Sequence, residues 1–160
     1  ATDEYFARPQ ATALAKIREH SSDGGERIIH RMGDLGWIDQ LGRLWFCGRK
    51  SHRVETAHGL LFTEQVEPVF NTHPKVKRTA LVGIGNPGQQ MPVLCIELHE
   101  KASPQEQENI QRELQKIGNG FVHTGRIHHF LFHSGFPVDI RHNAKIGREK
   151  LAVWASKKLT

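Results

Sequence analysis

Apolar positions along this chain change period several times, and each change marks an element. Ala11, Leu14, Ala15 and Ile17 predict a short helix near the N-terminus, with Pro9 ending anything begun at Tyr5. Ser21-Ser22-Asp23-Gly24-Gly25 is a loop by composition. From Arg27 the pattern becomes that of strands, with runs at Ile28 to Met32, Trp37-Ile38 and Leu44 to Cys47. Asp39 and Gly42 hold the first and last corners of the connection Asp39-Gln40-Leu41-Gly42, as a type I turn requires. Trp37-Ile38 and Leu44 to Cys47 are therefore expected to pair as a hairpin.

Gly48 to Arg53 is a polar break and the best candidate for a boundary. Beyond it, Arg53 to Thr56 and Leu60 to Phe62 predict a small hairpin across His58-Gly59. Thr63 is placed to N-cap a helix carrying Val66, Val69 and Phe70, although Pro68 removes one of its backbone bonds. Lys77 to Ile84 and Met91 to Leu98 read as strands joined by the turn Gly85-Asn86-Pro87-Gly88. Ser103-Pro104-Gln105-Glu106 has capping-box spacing, and Ile110, Leu114 and Ile117 follow on one helical face until Gly118-Asn119-Gly120 stops it. His128 to His133 predicts a third strand with Phe130 and Phe132 on one face. Phe136 to Lys145 then reads as an ordered loop begun by Pro137, and Leu151, Trp154 and Ala155 predict a final helix docked on the core. From about residue 49 this is a small α+β domain: a three-stranded sheet with packed helices and a small hairpin.

Composition narrows the class. The 160 residues suffice for one ordinary domain, or a small domain with a piece of another, and 38% apolar with 24% charged residues indicate a folded chain. A net charge of +5 suits an anionic partner such as a nucleotide, a phosphate-bearing cofactor or nucleic acid. The basic residues are spread along the chain and not interleaved with aromatics, which argues against nucleic acid. Cys47 and Cys95 lie in apolar runs and are expected to be buried, reduced thiols in a cytoplasmic protein. The N-terminus lacks the apolar stretch of a signal peptide, and no run is long enough for a transmembrane segment. The chain opens on Ala1, not Met, which suggests a longer polypeptide.

Taken singly, the polar residues invite modest readings. Asp34 is a turn residue between strands, Arg49 a solvated boundary charge, and Lys145 one lysine among many. His128, His129, His133 and His142 could be drawn as a metal site, but alternation sends His128 and His129 to opposite faces and no carboxylate or thiolate completes a familiar spacing. No metal site is expected. Trp37, Trp45 and Trp154 sit on amphipathic elements and are expected in the core.

Order changes this picture. Arg31-Met32-Gly33-Asp34-Leu35-Gly36-Trp37-Ile38-Asp39 precedes Gly42-Arg43-Leu44-Trp45-Phe46-Cys47-Gly48-Arg49, and Asn143-Ala144-Lys145-Ile146 follows near the C-terminus. In this order and spacing the chain resembles the adenylate-forming superfamily, which includes acyl-CoA synthetases, firefly luciferase and peptide-synthetase adenylation domains. The three segments are similar to its aspartate motif, its hinge motif and its lysine motif. The resemblance implies that Asp34 holds the ribose hydroxyls of ATP or acyl-adenylate, that Arg49 reaches the ribose or phosphate region, and that Lys145 bridges the substrate carboxylate and the α-phosphate. It further implies that residues 49–160 are a mobile C-terminal lid domain and residues 1–48 the end of a large N-terminal domain. Ser51 stands at the pivot, where the family usually has Asp or Lys, and Asn143-Ala144 stand where it usually has Ser-Gly.

The family's Gly-rich phosphate loop and adenine pocket have no counterpart in these residues. The chain alone is therefore expected to be inactive and to work with its own large domain. ATP is the implied cofactor, with Mg2+ held mainly through the large domain and the nucleotide phosphates. Phe136 to Ile146, with Arg148 to Ala155, is most similar to the bacterial olefin-biosynthesis branch, the β-lactone synthetases. That branch implies a long-chain β-hydroxy acid substrate and other enzymes of the same pathway as partners. A fatty acyl-CoA ligase using CoA and a non-catalytic interaction module of the same fold are the alternatives.

Overall fold

The computed structural model describes residues 3–20, 24–139 and 142–159. In chain order the first elements are α1 (Pro9–Ala15), β1 (Lys16–His20), β2 (Glu26–His30), β3 (Asp34–Ile38) and β4 (Leu44–Arg49). A 3-10 turn (Lys50–His52) leads to β5 (Val54–Thr56), β6 (Gly59–Leu61) and α2 (Thr63–Phe70). Next come β7 (Val76–Ile84), β8 (Met91–Leu98), α3 (Pro104–Asn119) and β9 (His129–Phe132), and the chain closes with β10 (Val138–Asp139), β11 (His142–Ile146) and α4 (Arg148–Leu159).

The N-terminal expectation needs correcting. Pro9 starts α1 instead of ending a helix, because the first turn of a helix has no use for the missing N–H. Ile17, expected on the helix face, lies in β1 opposite Ile29 of β2. Cross-strand pairing replaces the helix there, and opposite charges align along it: Arg18 meets Glu26 at 3.2 Å and Arg27 meets Glu19 at 2.8 Å. The β2 run is consequently Glu26–His30, displaced toward the N-terminus from the expected Ile28 to Met32.

The hairpin β3–β4 forms around the expected turn. Gly42 N–H donates to the Asp39 carbonyl at 3.0 Å, and Gly42 takes φ +75°. The Asp39 carboxylate accepts from Trp45 Nε1 and from the backbone N–H groups of Leu41 and Arg43, each at 2.9 Å. Led by the Trp45 bond, these donors hold its acid at about 2. Trp37 and Trp45, expected in the core, instead stack on each other 5.9 Å apart and stay about half exposed, at 52% and 47%. Both side chains point to the same open face of a two-stranded ribbon, with Ile38, Leu44 and Phe46 also exposed nearby.

Strand β4 crosses the start of α2 in contact. A Cβ on Gly48, whose φ is +98°, would lie 2.5 Å from Thr63 Oγ1 and 3.3 Å from Glu64 Cγ. Thr63, expected as the helix cap, is the first helical residue and fully packed, with Phe62 at the cap position. Its hydroxyl side is occupied by this close approach. Gly48→Ala therefore faces both a disfavoured backbone region and a clash, and should cost about 2 kcal/mol or more in unfolding free energy by denaturant titration.

The sheet order is β7-β8-β9, antiparallel between β7 and β8 and parallel between β8 and β9. The parallel pair is made possible by the α3 crossover. Ser103 Oγ accepts the Glu106 N–H at 3.3 Å and begins α3 as its spacing predicted. Strand alternation gives the sheet two buried faces. Leu81, Leu94, Ile96 and Phe130 pack with Val66 and Phe70 of α2 and Ile110 and Leu114 of α3. Ala80, Val82, Val93 and Cys95 pack with Phe136 and with Leu151 and Ala155 of α4. Cys47 and Cys95 are free and buried, and burial pushes the Cys95 thiol up to about 12. No helix among the described residues is long and apolar enough to cross a membrane.

Candidate functional site

The segment expected as a loop around Lys145 is a hairpin. Val138 of β10 pairs with Ile146 of β11, and Asp139 pairs with His142, with a register irregularity between Val138 and Asp139. Backbone pairing supplies the order that Pro137 alone could not, and sets Lys145 in the last strand before α4. Its side chain is exposed.

Both roots of this hairpin are fixed to the sheet. At the entry, the Phe136 N–H donates to Glu97 Oε2 at 2.7 Å, and the Arg78 guanidinium lies 5.3 Å from the Phe136 ring centre. Glu97 also meets Lys77 at 2.7 Å and Arg78 at 2.8 Å. Burial pushes its acid up, but Lys77, the Phe136 N–H and Arg78 outweigh burial and hold it at about 2. The folded state thus binds this proton less readily than the unfolded chain, whose carboxyl titrates near 4.5. The stabilisation is complete above that value and is lost as pH falls toward 2. Glu97→Gln should flatten the acid limb of a stability-against-pH curve in that window, measured by urea unfolding.

At the exit, the Gly147 N–H donates to the Pro137 carbonyl at 2.7 Å, which closes the hairpin before α4 begins. Arg148 then forms a bidentate pair with Glu67 of α2, with Nη2 to Oε2 at 3.0 Å, and donates to the Leu81 carbonyl at 3.3 Å. Glu67 accepts the Leu81 N–H at 2.8 Å as well. Both side chains are largely buried, at 12% and 13% exposure. Burial pushes the Glu67 acid up, against the opposing pull of Arg148. Neither residue stood out in the sequence. The available signal was a glutamate beside Val66 on the face of α2 that faces the core.

Arg49, Ser51 and Lys145 line one cleft of about 710 Å³, together with His52, Asp139 and Lys150. Asp34 does not line it. Asp34 is the cross-strand neighbour of Arg49 in the β3–β4 ladder, and its carboxylate sits 3.1 Å from Arg49 Nε. Arg49 also donates to the Met32 carbonyl, so its guanidinium is held by two acceptors beside the cleft wall. Residues distant in sequence thus meet: a cation from β4, a small polar residue from the 3-10 turn and a lysine from β11. Such a cleft can hold a phosphate or carboxylate anion, and Asp34 beside Arg49 adds an acceptor suited to sugar hydroxyls.

No protein-family model matches the chain. Among solved structures, an anthranilate CoA ligase in complex with anthranoyl-AMP superposes with a TM-score of 0.72 at 20% identity, covering 97% of this chain and 28% of that one. That likeness carries the fold. In sequence, the olefin beta-lactone synthetase of Xanthomonas campestris pv. campestris is 63% identical over 155 residues, covering 97% of this chain and 28% of that protein. The olefin beta-lactone synthetase of Stenotrophomonas maltophilia is 61% identical over 159 residues. The chain belongs to the adenylate-forming superfamily. Its fold is that of a C-terminal domain of these enzymes, and it spans about 28% of the length of these two curated relatives. The three segments that resemble that superfamily's aspartate, hinge and lysine motifs lie on β3, β4 and β11.

Proposed function

We propose that this chain is the lid-bearing part of an ATP-dependent, AMP-forming ligase that activates a long-chain β-hydroxy acid, and that Lys145 is its adenylating lysine. The observation that carries the reading is the meeting of Arg49, Ser51 and Lys145 on one cleft, with Asp34 paired to Arg49. In the adenylation step a carboxylate oxygen of the acid attacks the α-phosphorus of ATP, the P–O bond to the β-phosphate breaks, and pyrophosphate leaves. Lys145 offsets the repulsion between the two anions, Arg49 holds the phosphate or ribose region, and Asp34 accepts from the ribose hydroxyls.

Residues 1–48 belong in this reading to the large domain and 49–160 to the lid. The lid turns about Ser51 in the 3-10 turn, where a short, weakly bonded element absorbs a backbone change readily. Arg49, Lys145 and Lys150, which line the cleft beside Asp139 and Glu149, suit nucleotide phosphates. Mg2+ would be held mainly through the large domain and the nucleotide phosphates. The match to two olefin beta-lactone synthetases supports a second step in which the β-hydroxyl attacks the acyl-adenylate carbonyl, closing a β-lactone and releasing AMP.

The test is a chimera in which this chain replaces the matching part of the Xanthomonas campestris relative. It should form acyl-AMP and then β-lactone from a β-hydroxy fatty acid and ATP, followed by mass spectrometry. Formation of acyl-CoA instead, dependent on added CoA, would move the chain to the acyl-CoA ligases. A folded chimera without adenylate would overturn the reading.

A further inference from the structure

The cleft holds one group that the adenylation scheme leaves unused. His52 closes the 3-10 turn, is half-buried, and lines the cleft with Arg49 and Lys145. The charged groups facing it come from every neighbouring element: Arg49 of β4, Lys145 of β11, and Arg148 and Glu149 of α4. Asp139 of β10 and Lys150 of α4 share the same wall. Arg148 is held by Glu67 in a largely buried pair, and the half-exposed Arg49 is paired with Asp34.

We propose that His52 is a ligand of the phosphate anion in this cleft, beside Arg49 and Lys145, and that it takes up a proton as the anion enters. The inference deepens the functional reading above and rests on it. Its physical basis is the imidazole's donor count. A neutral imidazole offers one N–H, whereas an imidazolium offers two, and an ionised phosphate oxygen can only accept. Within the cleft, burial first and then Arg148, Arg49 and Lys145 press the His52 proton off, with Glu149 opposing, so its pKa lies below its ordinary 6.5. An entering anion offsets the positive field of Arg148, Arg49 and Lys145 at His52 and offers an acceptor to its N–H groups. The bound state therefore has the higher His52 pKa, and by linkage anion affinity is greatest at low pH and declines as pH rises through that value. Placed one residue beyond the proposed pivot Ser51, His52 would couple phosphate occupancy to the turn on which the lid moves.

The test uses the chain itself and needs no activity. Inorganic pyrophosphate is titrated into uniformly 13C,15N-labelled chain, and the His52 Cε1–Hε1 signal, assigned by its loss in His52→Gln, is followed against pH with and without the anion. The His52 midpoint should rise by about one unit at saturation, which corresponds to at most a factor of about ten in affinity, and sulfate should bind more tightly near pH 6 than near pH 8. In His52→Gln only the anion's own titration remains, and sulfate, which does not titrate in this range, should bind without pH dependence. A His52 midpoint unmoved by bound pyrophosphate, or no pyrophosphate binding at millimolar concentration, overturns the inference. If the Lys145-dependent chimera still makes acyl-AMP while His52 does not respond, this inference fails and the functional reading stands. If His52 responds but the chimera makes no adenylate, the reverse holds.

Discussion

In the chimera, Lys145→Ala should lower kcat for acyl-adenylate formation by roughly 10²- to 10³-fold, as loss of one preorganised donor to a developing anion does. KM for the fatty acid should change far less. The reason is where the charge is needed. In the open cleft Lys145 is exposed, and a charge pair 4 Å apart in water gains only about 1 kcal/mol, whereas the same pair at a partly dry protein surface gains about 4 kcal/mol. In the proposed reaction the ammonium acts at full strength only once the lid has closed over ATP and acid, and the two anions approach each other most closely in the transition state. A contact of that kind appears in kcat more than in KM. Pre-steady-state pyrophosphate release measures it. A rise in KM with kcat unchanged would instead mark Lys145 as a ground-state binding residue.

The second large effect is structural. Arg148→Met removes the only strong partner of the Glu67 carboxylate described in the fold besides the Leu81 N–H, and leaves a charge buried between α2 and β7. Breaking a buried pair from one side typically costs about 3 to 5 kcal/mol, which for a chain of this size lowers Tm by on the order of 10 °C. Because Arg148 lies three residues beyond Lys145, the same change should release the exit of the β10–β11 hairpin. The double variant Glu67→Gln/Arg148→Met removes the uncompensated charge and should recover part of the Tm. Adenylation by the double variant in the chimera should stay low, because the hairpin root remains untied. Recovery of both together would mean that the pair supports the fold alone.

Much of the fold was legible because local signals agreed with tertiary packing. Met91 to Leu98 was read as a strand with the bounds it has, and Ser103 caps α3 as its spacing required. The misreadings share a cause, which is that a partner outside the local window decided the outcome. Ile17 fits a helix until β2 arrives to pair with it, and Thr63 fits a cap until Gly48 packs on it. The stretch before Lys145 reads as a loop because two short strands with a register irregularity leave almost no alternation to detect. Trp37 and Trp45 illustrate a different limit. Apolar periodicity on a two-stranded ribbon reads as a core face, whereas Trp37 and Trp45 stack on each other and stay about half exposed.

The site was legible in a different way. Asp34, Arg49 and Lys145 were identifiable only as members of an ordered set, through resemblance, since each alone is an ordinary polar residue. Their placement adds what no motif contains: Asp34 sits opposite Arg49 in one ladder, and Arg49 shares a cleft with Lys145. The Glu67–Arg148 pair and His52 escaped because their significance lies in burial and in neighbours contributed by other elements. A glutamate in a helix and a histidine in a polar break carry no such information until the chain is folded.

The central claim is that Lys145 acts on the adenylate phosphate from this cleft while Asp34 and Arg49 hold its ribose side. The most direct test is a crystal structure of the chimera with a non-hydrolysable acyl-adenylate analogue. The account predicts Lys145 Nζ within about 3 Å of an oxygen at the acyl-phosphate junction, with the Asp34 carboxylate on the ribose hydroxyls. Lys145 left in solvent, with another cation of the closed lid at that junction, would contradict it.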